Sequence, residues 1–112
     1  MSKSWQPYAQ YILDTIAKIW RIKVRGDFLQ DEVLYDAILR NLQTLSEATK
    51  HLPDDLKQQY PLIPWKQISG FRNILTHNYL GEIDPQTVSG VVEKHLSPLE
   101  DAVKSMLGIN DY

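Results

Sequence analysis

The sequence predicts an all-α fold, an up-and-down bundle of four to five helices. Three observations predict it. Apolar residues recur at three- and four-residue steps along most of the chain, the period of one helix face. Proline and glycine fall where those stripes stop, at Gly26, Pro53, Pro61, Pro64, Gly81 and Pro98. No stretch convincingly alternates apolar and polar residues as a half-buried strand does. The length of 112 residues suits one domain over 1–112 and is too short for two.

The elements follow in order. Ser4 can cap a first helix with Pro7 in its first turn; Tyr8, Tyr11, Ile12, Ile16 and Ile19 form its face, and it is expected to end near Arg25, before Gly26-Asp27. A second helix is expected from about Asp31 to Leu52, with Val33, Leu34, Ala37, Ile38, Leu42, Leu45, Ala48 and Leu52 as one wide stripe. Pro53 stops it, and Asp54 to Tyr60 reads as a helical turn or connector. Pro64 opens a third helix that carries Trp65, Ile68, Phe71, Ile74 and Leu75 and fades near Leu80-Gly81. Asp84 caps a fourth, with Pro85 at its first position and Val88, Val91, Val92 and Leu96 on its face. Ser97-Pro98 ends or kinks that helix. A last helix over about Leu99 to Leu107 closes the bundle, and Ile109 to Tyr112 are expected to fray. Trp5, Trp20 and Trp65 read as core or interface anchors.

Composition excludes several classes. The 43% apolar and 23% charged content is that of an ordinary globular domain. At this size roughly 60–70% of the unfolded surface can be buried, so burial against a partner would help. No apolar run reaches the ~18 residues of a membrane span, no secretory signal is expected, and a cytoplasmic protein fits best. The absence of cysteine removes disulfides, thiolate metal sites and Cys nucleophiles. His51, His77 and His95 are far apart in sequence, without ligand spacing, so no metal and no cofactor is expected. No phosphate-cradling Gly-rich loop and no serine nucleophile elbow is present.

The net charge of -2 argues against nonspecific coating of nucleic acid. Its distribution is uneven. Residues 1–80 carry 10 Lys/Arg against 8 Asp/Glu, a balance of +2, and residues 81–112 carry 2 against 6, a balance of -4. The densest basic stretch is Lys18, Arg21, Lys23 and Arg25. It reads either as a solvated helix end, where cations suit the dipole, or as a patch in which Arg21, Lys23 and Arg25 contact RNA phosphates.

Gly70 to Leu80 stands apart, with six polar side chains where a purely structural helix would alternate apolar and charged faces. At ~100° per residue, Arg72, Thr76 and Tyr79 share one stripe, and Asn73 and His77 lie on the adjacent one. An arginine, an imidazole, a phenol and an amide can thus converge on one surface. That set suits phosphodiester chemistry on RNA. Arginine presents a fork of donors that matches phosphate oxygens, histidine titrates near neutrality, and RNA brings its own nucleophile, the 2'-hydroxyl. One histidine is thin for both acid and base roles; a two-fold dimer would supply a second. Taken singly, each residue also has a plain structural role open to it: Arg72 in a surface ion pair, Asn73 on a helix end, His77 at the core edge, Tyr79 as a packing residue with a wet hydroxyl.

The chain resembles the HepT toxins, minimal members of the HEPN ribonuclease superfamily in toxin–antitoxin pairs. The family pattern of Arg, four residues, His, one residue, Tyr stands here as Arg72, His77 and Tyr79, followed after the Arg by the polar Asn73. Asp36–Leu52, Tyr60–Ile83 and the opening YAQYILDTIAKI are similar to family segments as well, so the resemblance covers about residues 8–107. It implies an HEPN-like fold and a metal-independent endoribonuclease acting as a homodimer, with catalytic Arg72 and His77 of both chains around one cleft and Asn73 in support. It further implies an MntA-like nucleotidyltransferase antitoxin that attaches AMP to Tyr79. The RNA substrate stays open between tRNA and mRNA. The alternative is a catalytically inert HEPN module that binds a nucleotide, RNA or a protein, or a structural adaptor.

Overall fold

The computed structural model describes residues 4–70 and 85–109, and within them every regular element is helical. Helix α1 spans Gln6–Lys23 and α2 spans Glu32–Thr49. A single turn, α3, spans Asp54–Lys57, and α4 covers 65–70. Then α5 spans Pro85–Gly90, a π-helical turn covers Val91–His95, and α6 runs Leu96–Met106. The expected all-α bundle is the observed one.

Packing follows the stripes. Ala9, Ile12, Leu13, Ile16 and Ile19 of α1 face Ile38, Leu42, Leu45 and Ala48 of α2, and Leu96, Leu99, Ala102 and Val103 of α6 join them in one core. Most of these residues recur three or four apart, which places them on one side of each helix. The three buried polar residues among the described ones, Thr15, Ser46 and Thr49, turn their hydroxyls back to their own helix. They donate to the carbonyls of Tyr11 (2.7 Å), Leu42 (2.8 Å) and Ser46 (2.7 Å), so none is left unsatisfied inside the core. The three tryptophans pack against this core, each partly buried.

The turns show where local chemistry decided. Helix α2 starts one residue after the expected Asp31, which caps it, its carboxylate accepting from the amides of Val33 (3.0 Å) and Leu34 (3.3 Å). The preceding Asp27 accepts from the Leu29 amide at 3.0 Å and lets Phe28 tuck into the core. Gly26 leaves room there, where a Cβ would stand 3.2 Å from Leu34 Cδ1 and press that side chain aside by a few tenths of an ångström. At the far end of the chain, Gly108 adopts φ +72°. The Ile109 amide donates to the Lys104 carbonyl at 2.9 Å and the Gly108 amide to Ser105 at 3.0 Å, the paired bonds of a Schellman motif.

Several expectations are corrected. The cap of α1 is Trp5, not Ser4, and no side chain caps it. Pro7 at the second helical position has no N–H to offer one, and Ser4 instead donates to Gln6 Oε1. The helix ends at Lys23 and α2 at Thr49, two and three residues short of the expected bounds; α2 then tightens, with the Leu52 amide bonded to Thr49. Val33 does not join the core stripe but is 76% exposed in the capped first turn. Ile109 is held by the Schellman bonds rather than frayed. Pro98 does not separate two helices. It sits at the third position of α6, and the chain passes from α5 into α6 through the π-helical turn. Proline lacks the donor for the carbonyl four residues back and its ring would strike it; the wider turn at Val91–His95 removes that conflict by carrying the helix past Lys94. Among the described residues no helix is long and apolar enough to cross a membrane.

Candidate functional site

The approach to the Arg72–Tyr79 motif is anchored at three points. The Trp65 indole Nε1–H is shared between the carbonyls of Lys57 and Tyr60, each at 3.1 Å. This fixes the first turn of α4 against the exit of α3. The Tyr60 hydroxyl donates to Ser105 Oγ at 2.8 Å, which ties the same connector to α6. Thr49 Oγ1 and Ser69 Oγ lie 3.4 Å apart and join α4 to the end of α2. Pro64 starts α4 as expected, its carbonyl accepting from the Ile68 amide at 3.0 Å, and Ile63 and Ile68 are buried beneath. The Lys57 ammonium rests over the Trp65 ring, 5.9 Å from its centre. Burial there holds its pKa below the ordinary lysine value, with Asp54 pulling the other way.

Arg72, Asn73, His77 and Tyr79 lie outside the described residues. The basic residues at the end of α1 are described. Arg21 and Arg25 are exposed. Lys23 is engaged: its ammonium pairs with Glu93 Oε1 at 2.8 Å and stands 5.2 Å from the centre of the Trp20 ring. That pair, with side chains 28% and 53% exposed, pins the end of α1 to the π-helical turn. His51 is occupied as well, stacked on Tyr8 with ring centres 4.1 Å apart and planes 10° off parallel. Among the described residues no group of three or more His, Asp or Glu could hold a metal ion.

A cleft of about 470 Å³ opens between α4 and the arm formed by α5 and the π-helical turn. Ile68 and Val91 give it apolar surface; Gln67, Thr87, Lys94 and His95 give it polar groups. Thr87, Val91 and Lys94 recur at helical spacing, so the arm presents one continuous face to it. Sequence reasoning missed Lys94 and His95. The available hint was local, a Gly90 and a Pro98 flanking a Lys-His pair in one helical stretch. The meeting of that stretch with α4 is tertiary and has no periodic signature.

Comparison with known proteins matches the sequence to a family. The family profile described as Ribonuclease HepT-like matches residues 10–106, a span that includes the Arg72–Tyr79 motif. A candidate RNase of Caldanaerobacter subterraneus subsp. tengcongensis is 33% identical over 109 residues, which is 94% of this chain and 96% of that protein. A probable ribonuclease HepT of Thermococcus cleftensis is 30% identical over 103 residues, 89% of this chain and 93% of that one. A Methanocaldococcus jannaschii protein, named a gamma-glutamylcyclotransferase and candidate RNase, is 31% identical over 110 residues; the match takes 96% of this chain and 49% of its partner. No solved structure matches the chain.

Proposed function

The chain belongs to the HepT-like ribonuclease family, and on that premise we propose that it is the toxin of a toxin–antitoxin pair, a metal-independent endoribonuclease that works as a homodimer. The observation that carries this reading is the family match over residues 10–106 with Arg72, Asn73, His77 and Tyr79 all inside it.

The chemistry needs only groups these residues supply. One His77 imidazole takes the proton of the RNA 2'-hydroxyl as its oxygen attacks phosphorus. The new O2'–P bond forms, the P–O5' bond breaks, and the departing 5'-oxygen takes a proton from His77 of the second protomer. The Arg72 guanidinium faces the charge that builds on the phosphate oxygens, and Asn73 orients the phosphate. The products are a 2',3'-cyclic phosphate and a 5'-hydroxyl. Arg21 and Arg25 lead the RNA backbone toward the cleft, with Lys23 held to Glu93 between them. Regulation follows from the motif tyrosine. An MntA-like nucleotidyltransferase antitoxin transfers AMP from ATP to the Tyr79 oxygen and releases pyrophosphate; the bulky anion then occupies the charge that would receive RNA.

The test is purified protein with single-stranded RNA in EDTA. Cleavage leaving 2',3'-cyclic phosphate ends is expected. His77→Ala and Arg72→Ala should each lower the rate by ~10²–10⁴-fold, the scale of a lost proton-transfer or charge-stabilising group, without altering the helical circular dichroism. RNA left intact by the wild type, or cleaved as fast by both variants, overturns the reading.

A further inference from the structure

The geometry points to a second binding site for the substrate: the cleft between α4 and the arm is a subsite for one nucleotide of single-stranded RNA, with the Lys94 ammonium on its phosphate and the His95 imidazole against its base. This inference rests on the ribonuclease reading above and adds to it a site outside the motif.

Four observations carry it. The first is size and lining. The volume of about 470 Å³ lies in the range of small-ligand sites, about 300–1,000 Å³, and the mix of an apolar floor with a few polar groups is the usual composition of such sites. The second is that the space is open by residue choice. Gly70 lines one wall and Gly90 the other, and among the described residues a Cβ at either would meet no atom within 4 Å. Gly90 has ordinary right-handed helical angles, φ -60° and ψ -43°, so the backbone does not demand glycine there. A side chain at Gly90 would project into free space on the cleft wall, and glycine at a helix interior costs up to ~1 kcal/mol against alanine.

The third observation is charge. Lys94 is exposed, and no described carboxylate pairs with it. Its neighbour Glu93 points the other way, to Lys23. Among the described residues the turn therefore offers the cleft an unpaired cation, Lys94. Arg21 and Arg25 sit at the helix end that the same ion pair fastens to this turn. The imidazole of His95, half-buried at the cleft wall, is a flat π-face of the kind on which unpaired bases stack. The fourth is position. Gly70 precedes Arg72 by two residues, and two residues span at most about 7 Å. The cleft thus lies at the end of α4 that leads into the motif. The π-helical turn that shapes its wall is a form of backbone often found at functional sites.

Two variants test the subsite on the intact protein. Lys94→Ala removes the phosphate contact; Gly90→Leu fills the cleft from its wall while favouring the helix. The measurements are the Kd of a fluorescein-labelled eight-nucleotide RNA by anisotropy, and kcat and KM for its cleavage. Each variant is expected to raise Kd and KM about ten-fold with kcat unchanged, the pattern of a binding contact equal in ground and transition states. For Lys94→Ala the slope of log Kd against log salt should also fall by about 0.7, one phosphate contact on a single strand. Cleavage by the wild type with Kd and KM the same in both variants overturns the subsite and leaves the ribonuclease reading intact. No cleavage, with Kd still weakened by both variants, supports the subsite and overturns the nuclease. No binding at all overturns both.

Discussion

Helices α1 and α2 on one side, and the arm from Pro85 to Met106 on the other, bury the same kind of surface but are built to different standards. Each of the first pair runs 18 residues without interruption, and their buried hydroxyls are satisfied within their own turns. The arm buries Val88, Val92, Leu96, Leu99 and Val103, yet it passes through a π-helical turn with Gly90 before it and Pro98 after it. The apolar residues of the arm stay three or four apart across the irregular turn. The face toward the core and the face of Thr87, Val91 and Lys94 toward the cleft are thus both continuous. A helix can absorb an irregular turn and still serve a core and a site at once when the spacing on both faces is kept.

The largest effect on stability should come from the regular pair. Leu42 is 1% exposed at the centre of α2. Leu42→Ala removes buried methyl groups and leaves a void that neighbours from three helices cannot fully close. The expected loss is about 2–5 kcal/mol, read by urea unfolding. A loss under about 1 kcal/mol would show that α1, α2 and α6 do not share the tight core described here.

A smaller effect should come from the start of the same helix. Asp31 satisfies two of the otherwise unpaired first-turn amides. Asp31→Ala is expected to cost about 0.5–2 kcal/mol and Asp31→Asn much less, since the amide oxygen can still accept. Equal losses in the two variants would point to charge on the helix dipole rather than to the cap bonds.

The first of these changes lies where the sequence was most legible. The stripe Ile38, Leu42, Leu45 and Ala48 is a local pattern, and local patterns survive in one chain's order of residues; the start of α2 near Asp31 was legible too, but the cap bonds of its carboxylate were not read. The stripe failed at Val33, which keeps the right period but sits in the capped first turn. The cap of α1 failed because Pro7 lacks the amide that Ser4 would have received, and the indole of Trp5 at the cap position has no acceptor. Of the candidate site, the motif residues Arg72, Asn73, His77 and Tyr79 were legible as residue types at a helical spacing. The pairing of Lys23 with Glu93 was not, since the two are distant in sequence, and neither was the cleft, which exists only where α4 meets the arm. The family comparison reaches further than composition did because it weighs the whole order of residues 10–106 at once.

The smallest effect on stability, and the sharpest on the comparison, should come from Pro98→Ala. The alanine regains an N–H that can bond the Lys94 carbonyl and removes the ring that would strike it. The π-helical turn then has no local cause, and the backbone at Val91–His95 is expected to contract to an α-helical pattern. Unfolding free energy should stay within about 0.5 kcal/mol of the wild type, because the buried residues of the arm keep a partner on either pattern and the site is outside the core. The contraction would rotate Lys94 and His95 about the helix axis by up to ~100°, one residue of helical turn, and carry them off the cleft wall. A crystal structure of the variant reads the first effect and the RNA dissociation constant the second. A π-helical turn retained in Pro98→Ala would assign its cause to the packing of Val88, Val92 and Leu96 in the core instead. An α-helical turn with unweakened RNA binding would mean that the irregularity serves the fold alone, and the arm would then differ from α1 and α2 in form but not in task.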